Sequence, residues 1–414
     1  MREAYDILIA GGGLVGSALA VALSQTRWRV GVLEARPFEP GGEPGYDDRV
    51  SALSYTSRRI LSGLGLWSTL AADACPIRHI HISDRGRFGF ARLDHREEGV
   101  EALGYVLANR RLGQVLQQAV AARPGLDVIA PARLRALAVE GEHVSVTVDT
   151  GGETVGLRAR LLVGADGTAS TVRDHVGIQT RQSDYGQSAL IANVTPERDH
   201  GNRAYERFTA SGPLALLPMC DRRCALVWSH RREDLAATER LDDAAFLRAL
   251  QAAFGYRLGR FLRVGRRSSY PLSLVRARRD WRERVALVGN AAHTLHPVAG
   301  QGLNLALRDV AVLAELVAAT PAGGDPGRPA LLRAYEQWRA RDLRDVVRYT
   351  HGLVSLFGSE RAPLAFARDA GLLAMDTLAP IRHAVARQGM GLRARLPRLG
   401  RGLSLTGGED GRPL

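Results

Sequence analysis

The chain has 414 residues, 45% hydrophobic and 24% charged, the balance of a globular protein long enough for two cores. Its formal net charge is +13, from 56 basic against 43 acidic residues, and none of the basic residues is a lysine. An all-arginine set reads as the signature of a GC-rich genome, so the charge is discounted as a sign of nucleic-acid binding; no helix-turn-helix, zinc pattern or aromatic-basic platform stands beside it, and no nucleic-acid partner is expected.

Residues 6–10 (DILIA) begin almost at Met1, so no targeting segment is expected, and they read as a strand buried in a parallel sheet. Gly11-Gly12-Gly13-Leu14-Val15-Gly16 follows at once, then an apolar helical run at 14–23 and a second strand at 29–33 that ends in Glu34. This is a complete βαβ unit, with Gly11, Gly13 and Gly16 in dinucleotide-binding spacing and an acid eighteen residues beyond Gly16. The glycines permit a tight turn, close approach of a pyrophosphate and close helix–strand packing, and Glu34 suits the hydroxyls of an adenosine ribose. Residues 79–93 change character to strand-like alternation, which returns over 189–230 and 268–274 and marks a second, mostly antiparallel domain inserted into the first. Between those stretches, 161–163 reads as a buried strand that delivers Gly164-Ala165-Asp166-Gly167 to a helix opened by Ser170 and Arg173. Cys220 and Cys224 flank a hairpin turn; with Cys75 they make neither a disulfide framework nor a zinc site and are expected to be reduced, buried small residues. No metal is expected.

Residues 285–288 form another apolar strand, broken at Gly289 and followed by a loop with Pro297, Gly300 and Gly302 and by a long apolar helix from Leu303. Unpaired amides and the helix dipole converge where a strand feeds a helix N-terminus in this way, making a site for anions and polar edges. The helical stretch 302–319 contains Arg308, Asp309 and Glu315, which excludes a membrane span, and a cytoplasmic location is expected. A turn-rich connector at 322–329 precedes helices at 330–357, 363–378 and 381–392. From 377 to 408 there is no acidic residue but six arginines, beside an apolar stripe of Leu378, Ile381, Val385 and Leu392. Such a segment can lie on an anionic leaflet; the genome's arginine bias would equally produce a solvated basic tail.

In this order the three glycine motifs resemble those of the single-component flavin-dependent aromatic hydroxylases, which have the p-hydroxybenzoate hydroxylase fold. DDRVSALSYTSRRIL (47–61), AYERFTASGPLALLPM (204–219), RSSYPLSL (267–274) and GNAAHTLHPVAGQGLNLALRDV (289–310) are similar to the ubiquinone-biosynthesis branch, and the likeness runs from about residue 5 to 391. One departure is Asn290, where most of the family has Asp; Asn keeps an acceptor oxygen. The resemblance implies an α/β fold: a Rossmann-like FAD-binding domain of the glutathione-reductase type (1–72, 100–180 and 276–350), an inserted antiparallel β substrate domain (73–99 and 181–275) and a C-terminal helical region (351–414). It implies non-covalent FAD, NAD(P)H and O2 as co-substrates, a flavin C4a-hydroperoxide, and hydroxylation of a polyprenylated phenol such as 2-polyprenyl-6-methoxyphenol. A ubiquinone-biosynthesis complex and peripheral inner-membrane contact are the implied partners. A hydroxylase of another aromatic, a reductase of prenyl double bonds and a flavin-binding scaffold stay open as alternatives.

Carried onto this chain, the resemblance gives Gly11, Gly13, Gly16 and Glu34 to the adenosine and pyrophosphate, with Arg49 and, more loosely, Arg110 on the cofactor side. Asp166 and Asn290 become polar edges of the later motifs, and Gly300, Gln301, Gly302, Leu303 and Asn304 lie by the pyrimidine end of the flavin. His296, Pro297 and Tyr270 are the candidates for a catalytic part, and His293 for loop hydrogen bonding. Tyr205, Arg207, Ser268 and Ser269 are candidates for facing the substrate. No base for the phenol is identified.

Overall fold

A computed structural model describes residues 3–38, 45–209, 211–295, 300–357 and 362–406. Five parallel strands form its centre, in the order Val285–Leu287, Glu153–Gly164, Ala4–Ala10, Val30–Leu33 and Leu126–Ile129. Strands covered on both faces need apolar runs rather than alternation. Ile7, Leu8 and Ile9, Val30 and Val32, and Leu161, Leu162 and Val163 supply them and are fully buried. The helix Leu14–Leu23 crosses from the first strand to the second. It is rich in Leu and Ala, good helix formers, and is buried on almost every side because Gln301–Ala318 and Asn109–Ala122 lie over it. Leu19 and Leu23 are inaccessible, and each contributes about 1.5–3 kcal/mol by burial.

A second sheet has nine strands. Its main path is His293–Thr294, Ser268–Ala277, Thr180–Pro196, Cys224–Arg231, Gly212–Pro218, Arg203–Thr209, His79–Asp84 and Phe90–Asp94, with Phe261–Val264 paired to Thr180–Pro196. All its pairings are antiparallel except that of Arg203–Thr209 with His79–Asp84. A small sheet of Val50–Ser54, Gly104–Ala108 and Cys75–Ile77 joins the two cores: Leu53 and Leu107 pack with the first, while Ile77 and Val106 pack with Ala204 and Ala225 of the second. On this sheet membership we propose the division at residues 73–99 and 181–275 that the sequence suggests. Two short strands cross this division: Cys75–Ile77 pairs with Gly104–Ala108 of the nucleotide half, and His293–Thr294 of that half pairs with Ser268–Ala277 of the other sheet.

The C-terminal helices are Pro329–Phe357, Ala362–Thr377 and Ala379–Gly389, within three residues of the expected bounds. Among the described residues no helix is long and apolar enough to cross a membrane. One expectation is corrected: Cys75 and Cys224 are buried, but Cys220 is exposed. It sits at the mouth of a tight hairpin whose Asp221 and Arg222 both take positive φ (62° and 58°), and this turn carries it out of the core.

Candidate active site

Three loops leave the parallel sheet side by side, because Ala10, Gly164 and Leu287 are register partners on adjacent strands. That places the three glycine motifs together at the carboxyl edge of the sheet, where open α/β sheets bind ligands. The glycines divide by what surrounds them. A Cβ at Gly16 would lie 1.8 Å from the Gly11 carbonyl oxygen, so Gly16 is there for helix–strand packing. Gly11 has φ +106° and abuts Ala165 of the second motif. At Gly13, by contrast, a Cβ would meet no atom within 4 Å, and Gly13 lines an open cavity, as does Gly302. The helices Leu14–Leu23 and Gln301–Ala318 begin at Gly13 and Gly300, and neither N-cap residue supplies a side-chain cap. Asp166 uses Oδ2 to accept the Val172 N–H at 3.0 Å while its buried Oδ1 has no partner. Open glycines, two uncapped helix ends and an unused acceptor fit a phosphate-bearing cofactor with polar edges, as FAD is.

The remaining expected residues take definite places. Glu34 accepts the Gly12 N–H at 2.7 Å through Oε2 and the Arg36 N–H at 3.0 Å through Oε1, so it fixes the glycine turn as well as standing at the end of the second strand. Arg49 is exposed and stacks on the Tyr270 ring, 4.6 Å from its centroid, and Tyr270 is not among the residues lining the cavity. Arg110 pairs with Asp48 at 3.2 Å. Asn290 is exposed in the turn Gly289–Ala291 and lines the cavity. Gly300 is left-handed (φ +59°), and Gln301, Gly302, Leu303 and Asn304 follow on the cavity wall. Asn304 spends its whole capacity on the protein: Nδ2 donates to the Ala52 and Gly300 carbonyls, and Oδ1 accepts from the Ser54 amide and the Ser57 hydroxyl. It therefore holds the helix N-terminus in position. His296 and Pro297 lie outside the described residues. Tyr205 lines the cavity, whereas Arg207 donates to the Ala253 carbonyl and Ser268 and Ser269 are off it. Among the described residues no cluster of three or more metal-ligating side chains occurs.

Beneath this loop lies a buried ionic cluster that sequence reasoning missed. His293 Nε2 meets Asp309 Oδ2 at 2.6 Å, the Gly289 N–H donates to the same oxygen, and Arg339 Nε donates to Oδ1 at 2.7 Å. Arg339 and Arg308 both reach Asp342. Burial alone would raise the Asp309 carboxyl, but His293 and Arg339 hold it down at about 2. His293 is thus a structural anchor. The sequence signal was a charged pair, Arg308-Asp309, in the middle of a mostly apolar helix.

The cavity, about 820 Å³, runs from Gly13, Asn290 and Gly302 to one face of the nine-stranded sheet. Ile80, Ile82, Ala204, Phe208, Ala215, Leu217 and Val227 make that face apolar, and Leu372, Met375 and Met390 of the C-terminal helices close it from the other side. Two charged side chains line it among the described residues, Glu206 and Arg368. Arg368 donates to Asp84 at 2.6 Å. Glu206 is partly buried, and burial raises its carboxyl to about 7.

A family model described as an FAD binding domain matches residues 4–350. Over 404 residues the chain is 42% identical to ubiquinone hydroxylase UbiL of Rhodospirillum rubrum, covering 97% of this chain and 93% of that one. It is 33% identical to 3-demethoxyubiquinol 3-hydroxylase of Escherichia coli over 94% of this chain and 100% of the other. Of solved structures, p-nitrophenol 4-monooxygenase PnpA from Pseudomonas putida shares the fold at TM-score 0.79, with 19% identity over 95% of this chain and 100% of that one.

Proposed function

The chain belongs to the FAD binding domain family, and from that premise we propose that it hydroxylates the ring of a polyprenylated phenol, 2-polyprenyl-6-methoxyphenol, in ubiquinone biosynthesis. It is an FAD-dependent aromatic-ring monooxygenase with NAD(P)H and O2 as co-substrates. The observation that carries the substrate reading is the single cavity that joins the glycine cradle to an apolar sheet face roofed by helices. An isoprenoid tail gains about 0.8 kcal/mol for each methylene buried there.

FAD, held without a covalent bond, supplies the electron transfer and the activation of O2. Gly13 and the amides at the start of Leu14–Leu23 would hold its pyrophosphate, and Glu34 its ribose. The N-terminus of Gln301–Ala318 would stabilise negative charge at the pyrimidine end of the flavin. The apolar wall keeps water from the reacting ring. A relative named for demethoxyubiquinol hydroxylation makes that quinol a second substrate candidate. The test is product analysis by mass spectrometry with purified protein, NADPH, O2 and a panel of prenylphenols. One added oxygen on the methoxyphenol supports the reading; NADPH oxidation with no hydroxylated prenylphenol overturns it.

The same substrate would have to be collected from lipid, and a surface for this is present. Phe366, Leu373, Leu378 and Ile381 are 66%, 42%, 51% and 41% exposed on the outer side of the helices whose inner side roofs the cavity. The expected apolar stripe is thereby split, since Val385 and Leu392 pack inward with Leu372 and Met390. Of the arginines beside it, Arg382 pairs with Glu97 and Arg395 stacks on Trp338. We take the four exposed side chains as the peripheral membrane contact.

A further inference from the structure

We propose that Glu206 is the catalytic base that takes the phenolic proton, an assignment that rests on the phenol-hydroxylase reading above. On the strand Arg203–Thr209, Ala204, Glu206 and Phe208 share one face and all line the cavity, with Tyr205 also at its wall. The register partners of Glu206 are Ile82 on one neighbouring strand and Ala215 on the other, and both line the cavity too. A carboxylate therefore stands at the middle of a face whose pattern calls for an apolar residue. A position that breaks the local rule without a structural gain is where a functional group is expected.

The surroundings give Glu206 no structural employment. Among the described residues lining the cavity it is the only carboxylate, and no described group donates a hydrogen bond to it. Its strand neighbours offer only Ile80, Ile82, Pro213, Ala215 and Leu217 towards the cavity. The polar groups reaching in from the other side are Tyr349 of Pro329–Phe357 and Arg368 of Ala362–Thr377, and Arg368 is already committed to Asp84. A partly buried carboxylate without a partner is costly unless a ligand supplies the donor. A phenol hydroxyl is such a donor.

The step balances simply. The phenol O–H bond breaks, its electron pair stays on the phenolate oxygen, and a new O–H bond forms on the Glu206 carboxylate. No electron leaves the pair of reactants, and the proton can return to the product oxygen afterwards. The phenolate is the more electron-rich ring, which an electrophilic oxygen donor requires. Lifting the carboxyl from its ordinary value of 4.5 to about 7 makes it a stronger base by roughly two and a half orders of magnitude, and brings its titration near working pH. Burial, and then Glu206 itself, pushes the Tyr349 phenol up to about 12, so Tyr349 stays protonated and can donate to the phenolate.

Glu206→Gln keeps the shape and removes the proton acceptor. In FAD-loaded enzyme we expect flavin content to be kept and kcat/KM for hydroxylation to fall about 100-fold or more, with the rise of wild-type rate through about pH 7 abolished. Glu206→Asp should keep that limb at reduced kcat, which also covers a Gln variant that fails to fold; loss of the limb in the Asp variant counts against the assignment. A second measurement needs no turnover: binding of 2-geranyl-6-methoxyphenol, followed by flavin absorbance. Its Kd should tighten as pH rises through about 7 in the wild type and stay flat in Glu206→Gln. If the wild type hydroxylates no prenylphenol, the substrate reading fails and this titration still judges Glu206. Identical pH profiles in wild type and Glu206→Gln, in either measurement, overturn the proposal.

Discussion

Gly13 and Gly16 look alike in the motif, yet the surroundings of each predict opposite outcomes for the same substitution. Gly13 has φ −68° and open space where a side chain would go, so Gly13→Val should fold normally and lose FAD, because the side chain occupies the space of the pyrophosphate. Gly16→Val meets the Gly11 carbonyl at 1.8 Å and should not fold. Flavin absorbance after gel filtration, with circular dichroism of the same samples, separates them; full FAD occupancy in Gly13→Val would refute the placement of the cofactor. Asn290→Asp should leave a yellow, active enzyme, since Asn290 is exposed and an Asp still accepts a hydrogen bond; a variant that precipitates without flavin would show that the amide N–H groups are required. Asp309→Asn strips Arg339 and His293 of their shared partner and should cost about 3–5 kcal/mol in chemical denaturation at neutral pH. Asp309 has a folded pKa of about 2, below its ordinary value of 3.8, so its stabilisation is present above about pH 4 and lost as pH falls through about 2. The difference between variant and wild type should shrink over that window.

At the scale of elements, the helix Gln301–Ala318 does two jobs from its two sides. Inward, Leu305, Leu307, Val310 and Leu313 are sealed in the core, and Arg308 and Asp309 enter the ionic cluster. At its start, Gly300 in the left-handed region and Asn304 bonded to the Gly300 and Ala52 carbonyls aim the first-turn amides at the cavity. Gly302 has free space around it, so Gly302→Val should leave the unfolding midpoint nearly unchanged while turnover drops about 100-fold, because a flavin displaced by about 1 Å loses its alignment with the ring. Unaltered kcat in that variant would remove Gly302 from the flavin's edge. The helix itself was legible in advance, from Leu303, two residues inside its observed start, because Leu, Ala and Val repeat along 303–317 without a breaker. The tie from Asn304 to Ala52, Ser54 and Ser57 was not, since those partners lie some 250 positions away.

For the whole molecule, the C-terminal helices make one wall of the cavity, so the tail cannot be treated as an appendage. Met390 accepts the Thr56 N–H through its carbonyl at 3.1 Å, and Ala386 and Met390 line the cavity; removing everything beyond Leu378 would open the core. Membrane contact is better probed by Phe366→Ser, Leu373→Ser, Leu378→Ser and Ile381→Ser in one full-length protein. We expect the wild type to float with anionic liposomes at low salt and the variant to stay behind with its FAD content unchanged; equal flotation would move the contact elsewhere on the surface. The amino-acid order by itself determined the nucleotide half: strand, glycine turn and helix are short-range signals, each contained in about 30 residues, and positive φ or close approach leaves glycine little competition. It also determined the alternation of the second sheet. Only the tertiary structure decided that Glu206 faces an apolar cavity, that Asp309 is anchored by His293 and Arg339, and that residues 368–390 roof a site begun at residue 13. The proton affinity and the role of a side chain depend on its burial and on which charges are near it, and those neighbours are assembled from segments far apart in the chain.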